Sequence, residues 1–330
     1  MKKIVAYALI MVMAISMLAG CGTTTEDTGS TDTGSADTGS ADTEVDWSGI
    51  TIGWSPANLS NELQVTLTDE LTKELKALGA EILTSDPQGD AVTQVEQVEN
   101  YISRGVDMIL MSPCDASASG VVADEAKEAG IPMIIVNCKM DNMDNVLSYV
   151  GCDDTSAGEL LMEYAAEKIG NAGNIAILRG PDGLDAQIKR TAGIENVLAE
   201  KKDIVVESSL AADWKTDKAM TTVENWLQTM QLDAVVCEND EMAIGAVEAI
   251  KGQGLSCEDV KVFGIDGIAS AYESIAKNEM TATLLQDAAA IAQKTTEVVQ
   301  IYMETGSVDS EYIIDWVVVD AENISEYYQQ

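Results

Sequence analysis

From residue 50 onward, short apolar runs rich in β-branched residues alternate with longer amphipathic stretches of helical spacing. This alternation is typical of βαβ units, in which a helix connects two parallel strands and packs back on their sheet. There are more runs than one open sheet usually holds. The pattern therefore predicts an α/β fold of two doubly wound parallel-sheet lobes, with a break near residues 151–155. The predicted strands are 50–54, 80–84, 108–112, 133–137, 147–150, 174–178, 204–210, 234–238, 261–265, 281–285 and 313–319.

The first twenty residues have the composition of an export signal. Lys2 and Lys3 precede an apolar run over residues 4–17, and the sequence Leu-Ala-Gly leads directly to Cys21. The apolar run is shorter than the roughly 20 residues that a membrane span needs. Residues 1–20 resemble a bacterial lipoprotein signal peptide, which implies cleavage before Cys21 and lipid attachment to it. We therefore expect an extracytoplasmic protein that is lipid-anchored to the cell membrane.

Residues 22–44 are mainly Thr, Asp, Gly, Ser and Ala, in near-repeats. Without apolar side chains, no burial can offset the entropy cost of ordering such a segment. Residues 21–45 are therefore predicted to be a flexible low-complexity tether between the lipid and the folded part.

We predict that Cys21→Ala releases the protein from the membrane fraction or blocks its processing, because Cys21 follows directly on the export signal. Membrane fractionation and mass spectrometry of the N-terminus measure this. Cys114→Ala, which lies outside the signal, should fractionate like the wild type. A soluble wild-type protein with an unmodified N-terminus at another residue would contradict the prediction.

The charge and composition of the chain exclude several functions. It has 56 acidic and 19 basic side chains and a formal net charge of −37. Such a surface repels phosphate backbones, so we expect no nucleic-acid partner. The sequence has no histidine, which excludes Ser-His-Asp and Cys-His enzymes and removes the commonest zinc ligand. We expect the protein not to be an enzyme, although the lack of histidine alone leaves carboxylate-only catalysis open.

Five cysteines follow Cys21 and form no C-x-x-C pair, so they lack the spacing of a zinc site. Buried free thiols are the expectation, with one disulfide left open. The glycine-rich loops that bind nucleotide phosphates are absent from the sequence. We therefore expect neither a metal nor a cofactor.

Polar side chains follow most of the predicted strands. Because ligands bind beyond the carboxyl ends of the strands in open parallel sheets, these side chains predict the binding site. Most are amides and carboxylates, which suit the hydroxyl groups of a small polar solute. They are Asn58 to Asn61, Ser112, Asp115, Asn137, Asp153, Asp154, Arg179, Asn239, Asp240 and Asp266.

Two segments carry a resemblance to a known family: Cys-Glu-Asn-Asp-Glu-Met-Ala-Ile-Gly-Ala at 237–246 and Val-Phe-Gly-Ile-Asp-Gly at 262–267. They resemble the ribose-binding family of type I periplasmic binding proteins, the solute receptors of ABC importers. Segments 103–109, 129–133, 190–193 and 283–287 support the resemblance, which covers residues 50–319. It implies an N-terminal lobe of residues 46–152 plus 288–312 and a C-terminal lobe of residues 153–287 plus 313–330. It also implies that the lobes close by bending at a three-strand hinge near 151–153, 285–287 and the stretch before Ile313.

The resemblance also places ligand-binding groups on this sequence. Two pairs of residues depart from the family, which has an aromatic pair where this chain has Leu63 and Gln64 and an Asp-Arg pair where it has Asn137 and Cys138. The first-lobe half of the site is therefore altered, and Trp54 is a candidate replacement for the missing aromatic wall. The implied ligand-binding residues are Asn61, Asn137, Arg190, Trp214, Asn239 and Asp266, with Gln286 or Asp287 at the hinge.

Each of these residues also has a structural alternative. Asn239 could serve only as a helix cap, Arg190 could lie on a helix surface, and Trp214 could pack at a sheet edge. The resemblance implies a monomer that captures a sugar and delivers it to an ABC permease and ATPase. The alternatives are a sensory receptor of the same fold, or a receptor for a nucleoside, an amino acid or an autoinducer-like furanose. A transcriptional repressor is disfavoured because an export signal stands where a helix-turn-helix should be.

Overall fold

The structure, a computed structural model, describes residues 45–328. The predicted signal peptide, Cys21 and nearly all of the predicted tether lie outside these residues. The strands are β1 (Thr51–Ser55), β2 (Glu81–Thr84), β3 (Met108–Met111), β4 (Met133–Asn137), β5 (Ser148–Gly151), β6 (Gly173–Arg179), β7 (Ile204–Ala211), β8 (Ala234–Cys237), β9 (Lys261–Asp266), β10 (Ala282–Leu285), β11 (Glu311–Ile313) and β12 (Val317–Asp320). The α-helices are α1 (Glu62–Leu78), α2 (Ala91–Arg104), α3 (Val121–Ala129), α4 (Asp154–Lys168), α5 (Asp185–Glu200), α6 (Thr216–Leu227), α7 (Asp240–Gly252), α8 (Ala269–Ala276) and α9 (Ala288–Thr305).

The strands form two six-stranded sheets, which confirms the predicted two-lobed α/β fold. The first sheet has the order β11-β5-β4-β3-β1-β2, and its strand pairs are all parallel. The second has the order β12-β10-β9-β8-β6-β7, in which β12 pairs antiparallel with β10. The central strands β3, β4 and β8 are buried along their whole length, because helices cover both faces of each sheet. Their continuous apolar runs follow from this burial.

The last predicted strand, 313–319, is wrong as a single element. Its first residue ends β11, which pairs parallel with β5, and its later residues form β12 in the second sheet. The chain therefore crosses between the lobes after Ile313 and not before it. The indole of Trp316 in this crossing donates a hydrogen bond to the carbonyl of Asp153 (2.8 Å). This bond ties the crossing to the one that follows β5.

The other two crossings join β5 to α4 and β10 to α9. With the segment between β11 and β12, three crossings connect the lobes. The predicted boundary at 312/313 is too early, because Ile313 still pairs with Gly151 in the first sheet, while the boundaries at 152/153 and 287/288 stay a prediction. All five cysteines of residues 45–328 are free, and Cys138, Cys152 and Cys237 are buried. Within the same residues, no helix is both long and apolar enough to cross a membrane.

Candidate ligand-binding site

A cavity of about 580 Å³ lies between the lobes, where the carboxyl ends of both sheets meet. Asp287 does not line it, because its carboxylate accepts a hydrogen bond from the amide of Ala290 (2.9 Å) and caps α9. Of the two hinge candidates, it is therefore Gln286 that reaches the cavity. The predicted site residues that line the cavity are Asn61, Asn137, Arg190, Trp214, Asn239, Asp266 and Gln286.

The backbone around the cavity is unusual. Positive φ angles are uncommon outside glycine and cluster at functional sites, where the surrounding structure enforces them. Trp214, with φ of 59°, is an outlier of this kind, because bulky side chains rarely adopt that conformation. Of the eight non-glycine residues with positive φ in residues 45–328, the five that line the cavity are Gln88, Asn137, Asp213, Trp214 and Asp266.

Arg190 of α5 lies at the buried end of the cavity with most of its donors occupied. Its Nε donates to Asp154 Oδ1 (2.8 Å), and Nη1 donates to the carbonyl of Glu238 (2.5 Å). Nη1 also lies 3.6 Å from Asp266 Oδ1, and Nη2 lies 3.4 Å from the amide oxygen of Gln286. The guanidinium is thus fixed by groups from α4, β9, the turn after β8 and the hinge, which excludes the surface-helix alternative.

Burial and the neighbouring charges shift the pKa values of Arg190, Asp154 and Asp266 in opposite directions. Burial alone would lower the pKa of Arg190, but the carboxylates of Asp154 and Asp266 outweigh burial and raise it above its ordinary value. Burial raises the pKa of both aspartates, and the guanidinium opposes that rise. Without the guanidinium, burial would disfavour the charged form of both carboxyl groups more strongly.

A close helix contact sets the position of Arg190. Helices α4 and α5 approach each other at Gly158 and Gly193, where a Cβ on either glycine would overlap the backbone of the other helix. Because the two helices are this close, the Arg190 side chain on α5 reaches Asp154 in the first turn of α4.

Trp214 forms an apolar wall of the cavity. Its ring lies over Gly180, at which any Cβ would overlap the indole, and the guanidinium carbon of Arg190 lies 5.7 Å from the ring centroid. Trp54 cannot provide a second wall, contrary to the sequence expectation. It is buried in the first-lobe core, and its Nε1 donates to Thr68 Oγ1 (2.9 Å). Leu63 lines the cavity where the family has an aromatic residue.

Three buried polar atoms of cavity-lining residues have no protein partner: Asn137 Oδ1, Asn239 Nδ2 and Gln286 Nε2. Asn239 uses its other side-chain atom, Oδ1, to cap α7 through the amide of Met242 (3.0 Å), so capping accounts for only half of its side chain. An unpaired buried polar atom costs about 1–3 kcal/mol. The cavity therefore offers two unpaired donors and one unpaired acceptor for hydrogen bonds to a bound molecule.

Sequence reasoning missed some of this site. Gln88 lines the cavity from a turn after β2, and the signal that could have found it is the Pro-Gln-Gly sequence at 87–89, which is typical of a tight turn. Asp154 was singled out as a polar residue after a strand, but its pairing with Arg190 was not predicted. Within residues 45–328, no group of three or more acidic or thiol side chains is placed to hold a metal ion.

Comparisons with known proteins identify the family. Residues 52–306 match the family described as the periplasmic binding protein domain. The ribose import binding protein of Bacillus subtilis is 34% identical over 248 residues, which are 75% of this chain and 79% of that protein. A solute-binding protein of an ABC transporter from Bacillus halodurans, solved with myo-inositol, has a TM-score of 0.81 and 34% identity over 86% of this chain and 98% of its own.

A second solved structure gives the same result. The ABC transporter solute-binding protein of Actinobacillus succinogenes, solved with D-allose, has a TM-score of 0.79 and 30% identity and covers 84% of this chain and all of its own. The family match spans most of this chain, and both structures share its two-lobed fold. The chain therefore belongs to the periplasmic binding protein family, as a ribose-binding-like type I solute-binding protein and not an enzyme.

Proposed function

We propose that this protein captures a neutral sugar or cyclic polyol between its lobes and delivers it to an ABC importer. The observation that carries the proposal is the set of unpaired polar atoms on Asn137, Asn239 and Gln286, in a cavity that Trp214 also lines. A hydroxyl group can donate to one of these atoms and accept from another, whereas a purely accepting or donating ligand cannot. The indole supplies the apolar surface that the C–H face of a sugar ring needs.

The charges at the buried end of the cavity favour a neutral ligand. Arg190 is already paired with Asp154 and Asp266, so one buried cation faces two buried carboxyl groups. A ligand carboxylate would meet two buried carboxyl groups and a guanidinium that is already paired with them and has most of its donors occupied. This argues against an amino acid, which the sequence alone left open. The relatives named above are described with ribose, myo-inositol and D-allose, all of which are neutral and polyhydroxylated.

The partners follow from the proposed role. An importer requires a membrane permease and an ATPase, and the lipid predicted on Cys21 would hold the receptor at the membrane surface beside them. Residues of one chain line the cavity from both lobes, so a monomer suffices for binding. Genes for a permease and an ATPase beside this one would favour transport, whereas a neighbouring sensor kinase would favour signalling.

We predict that neutral polyols, and not amino acids, raise the melting temperature of the purified protein. The panel is D-ribose, D-allose and myo-inositol, with uridine, L-glutamate and L-leucine as the alternatives. A ligand at a hundred times its Kd adds about 2.7 kcal/mol to stability, which differential scanning fluorimetry resolves readily. A shift with uridine or an amino acid alone would overturn the proposed ligand class.

The same panel tests lobe closure. Three crossings restrict the lobes to a bending motion, so a saturating ligand should reduce the radius of gyration in small-angle X-ray scattering. L-Leucine, as a ligand-class control, should leave the radius unchanged. An identical radius with and without a ligand that raises the melting temperature would show that binding occurs without closure.

A further inference from the structure

A carboxylate of the first lobe caps a helix of the second. Glu62 is the first residue of α1, and its Oε1 accepts a hydrogen bond from the amide of Ala269 (3.0 Å) while its Oε2 accepts one from Ser270 Oγ (3.3 Å). Ala269 begins α8, whose N-cap residue, Ile268, has no side-chain acceptor. The capping group that α8 lacks in its own sequence is thus supplied from across the cleft.

The arrangement is reciprocal. Glu241 of α7, in the second lobe, accepts a hydrogen bond through its Oε1 from the backbone amide of Glu62 (2.8 Å). Asn61, the N-cap of α1, accepts from the amide of Gln64 (3.1 Å) and leaves the Glu62 amide to Glu241. Negative charge is favourable at a helix N-terminus, and here each lobe provides it to a helix of the other.

These bonds exist only while the lobes are together. When the cleft opens, the Glu62 carboxylate and the amide of Ala269 must separate, and α8 loses its cap. Glu241 lines the ligand cavity, whereas Glu62 lies outside it, in the seam between α1 and α8. The contribution of Glu62 to closure can therefore be separated from any contact with ligand.

We propose that Glu62 and Glu241 form an interlobe latch that sets the affinity of the receptor by stabilising its closed state, with Glu62 acting as a positioning residue that does not touch the ligand. The proposal rests on the proposed function, because a latch matters only to a receptor that closes. The apparent affinity of such a receptor scales with the population of its binding-competent state. A contact outside the cavity can then tune Kd without changing ligand specificity.

The latch brings two carboxylates near each other. Burial raises the pKa of Glu241, the hydrogen bond from the Glu62 amide lowers it, and the nearby Glu62 carboxylate raises it. The two carboxylates therefore oppose each other while each binds the helix end of the opposite lobe. On another side of the cleft the lobes meet through uncharged backbone, where the amide of Ala116 donates to the carbonyl of Gly183 (3.3 Å).

The first test is binding kinetics, followed by tryptophan fluorescence in stopped flow with myo-inositol, D-allose and D-ribose as probes. We expect Glu62→Ala to weaken binding about ten-fold, on the scale of one or two lost charge-assisted hydrogen bonds. The loss should lie in the dissociation rate, because the latch stabilises the closed state from which the ligand must escape. Asp69→Ala, which removes a carboxylate from an exposed site on the same helix, should stay within two-fold of the wild type.

Two further variants separate the latch from a general loss of fold. Glu62→Gln keeps an oxygen acceptor without the charge and should fall between the wild type and Glu62→Ala. Glu241→Gln keeps the acceptor for the Glu62 amide and removes the repulsion, so its interlobe bond should survive. Unchanged dissociation rates in both Glu62→Ala and Glu62→Gln would overturn the proposal.

The second test needs no ligand. In small-angle X-ray scattering, ligand-free Glu62→Ala should have a larger radius of gyration than the wild type and Asp69→Ala. The same radius of gyration in all three proteins would overturn the proposal of a latch, independently of which ligand the protein binds. If the wild type binds none of the three probes but Glu62→Ala is still expanded, the proposed ligand class fails and the latch stands.

Discussion

We expect Arg190→Ala to abolish ligand binding and to lower the free energy of unfolding by about 3–5 kcal/mol, the usual result of removing one partner from a buried ion pair. The substitution leaves the carboxyl groups of Asp154 and Asp266 buried without their cation. It also leaves the carbonyl of Glu238 without its guanidinium donor.

Urea unfolding, followed by far-UV circular dichroism, measures the loss of stability, and calorimetry measures the loss of binding. The matched control is Arg179→Ala in the same lobe, because Arg179 pairs with the exposed Asp182 (2.6 Å) and surface pairs contribute about 1 kcal/mol or less. If Arg190→Ala unfolded at the same urea concentration as Arg179→Ala, the buried pairs would not be holding the site together.

The loss of stability in Arg190→Ala, measured as the free energy of unfolding relative to the wild type, should become smaller as the pH falls. Burial already raises the pKa of Asp154 and Asp266 in the wild type, and without Arg190 the opposing effect of the guanidinium disappears. A carboxyl group whose pKa is higher in the folded state than in the unfolded state destabilises the fold at high pH. This penalty is relieved as the pH falls through the raised pKa values and the group takes up a proton. The free energy of unfolding of the wild type, in which Arg190 is present, should change less over the same pH range.

We expect Trp214→Ala to weaken ligand binding by about 2 kcal/mol or more, which is roughly thirty-fold in Kd. The indole is the aromatic wall of the cavity, and its ring is held over Gly180 by a backbone with positive φ. A sugar ring that stacks on it would lose that contact and face water instead. Isothermal titration calorimetry with the ligand from the thermal-shift panel measures the change.

Leu63→Ala is the matched control for this effect. Leu63 also lines the cavity with an apolar side chain, but it offers no flat surface to a ring, so its truncation should cost less than that of Trp214. Equal losses in the two variants would mean that general apolar contact, and not stacking, supports the ligand. A wild-type affinity in Trp214→Ala would place the ligand away from the second-lobe wall.

The alternation of apolar runs predicted most strands to within about a residue, because strand periodicity and the following amphipathic helix are both local features. The segment that became β11 and β12 was different. Residues 312–314 and 316–319 are apolar, interrupted only by Asp315, so they resemble one strand. What divides them is the position of two sheet edges, which depends on strands far away in the chain.

Some site residues could likewise be predicted from local sequence, whereas others depend on contacts between distant parts of the chain. Asn137 and Asp266 end strands, so the rule that ligands bind beyond carboxyl ends found them. The choice between Gln286 and Asp287 could not be made from the sequence, because a shift of one residue turns a side chain from the cavity to the helix cap. The pairing of Arg190 with Asp154 depends on how α4 packs against α5, and no local pattern records that contact. Trp54 was misplaced because β1 is buried on both faces, and its contact with Thr68 depends on how α1 packs against the sheet.

The order of strands along the chain has a consequence for how the protein acquires its structure. The first sheet is incomplete until β11 is made, and the second is incomplete until β12 is made, although their other strands were synthesised long before. Domains usually fold as units, beginning at the N-terminus during synthesis. Here neither lobe is a continuous piece of chain, so neither can complete its sheet before most of the other lobe has been synthesised. Both sheets are completed only within residues 311–320, after all their other strands have been made.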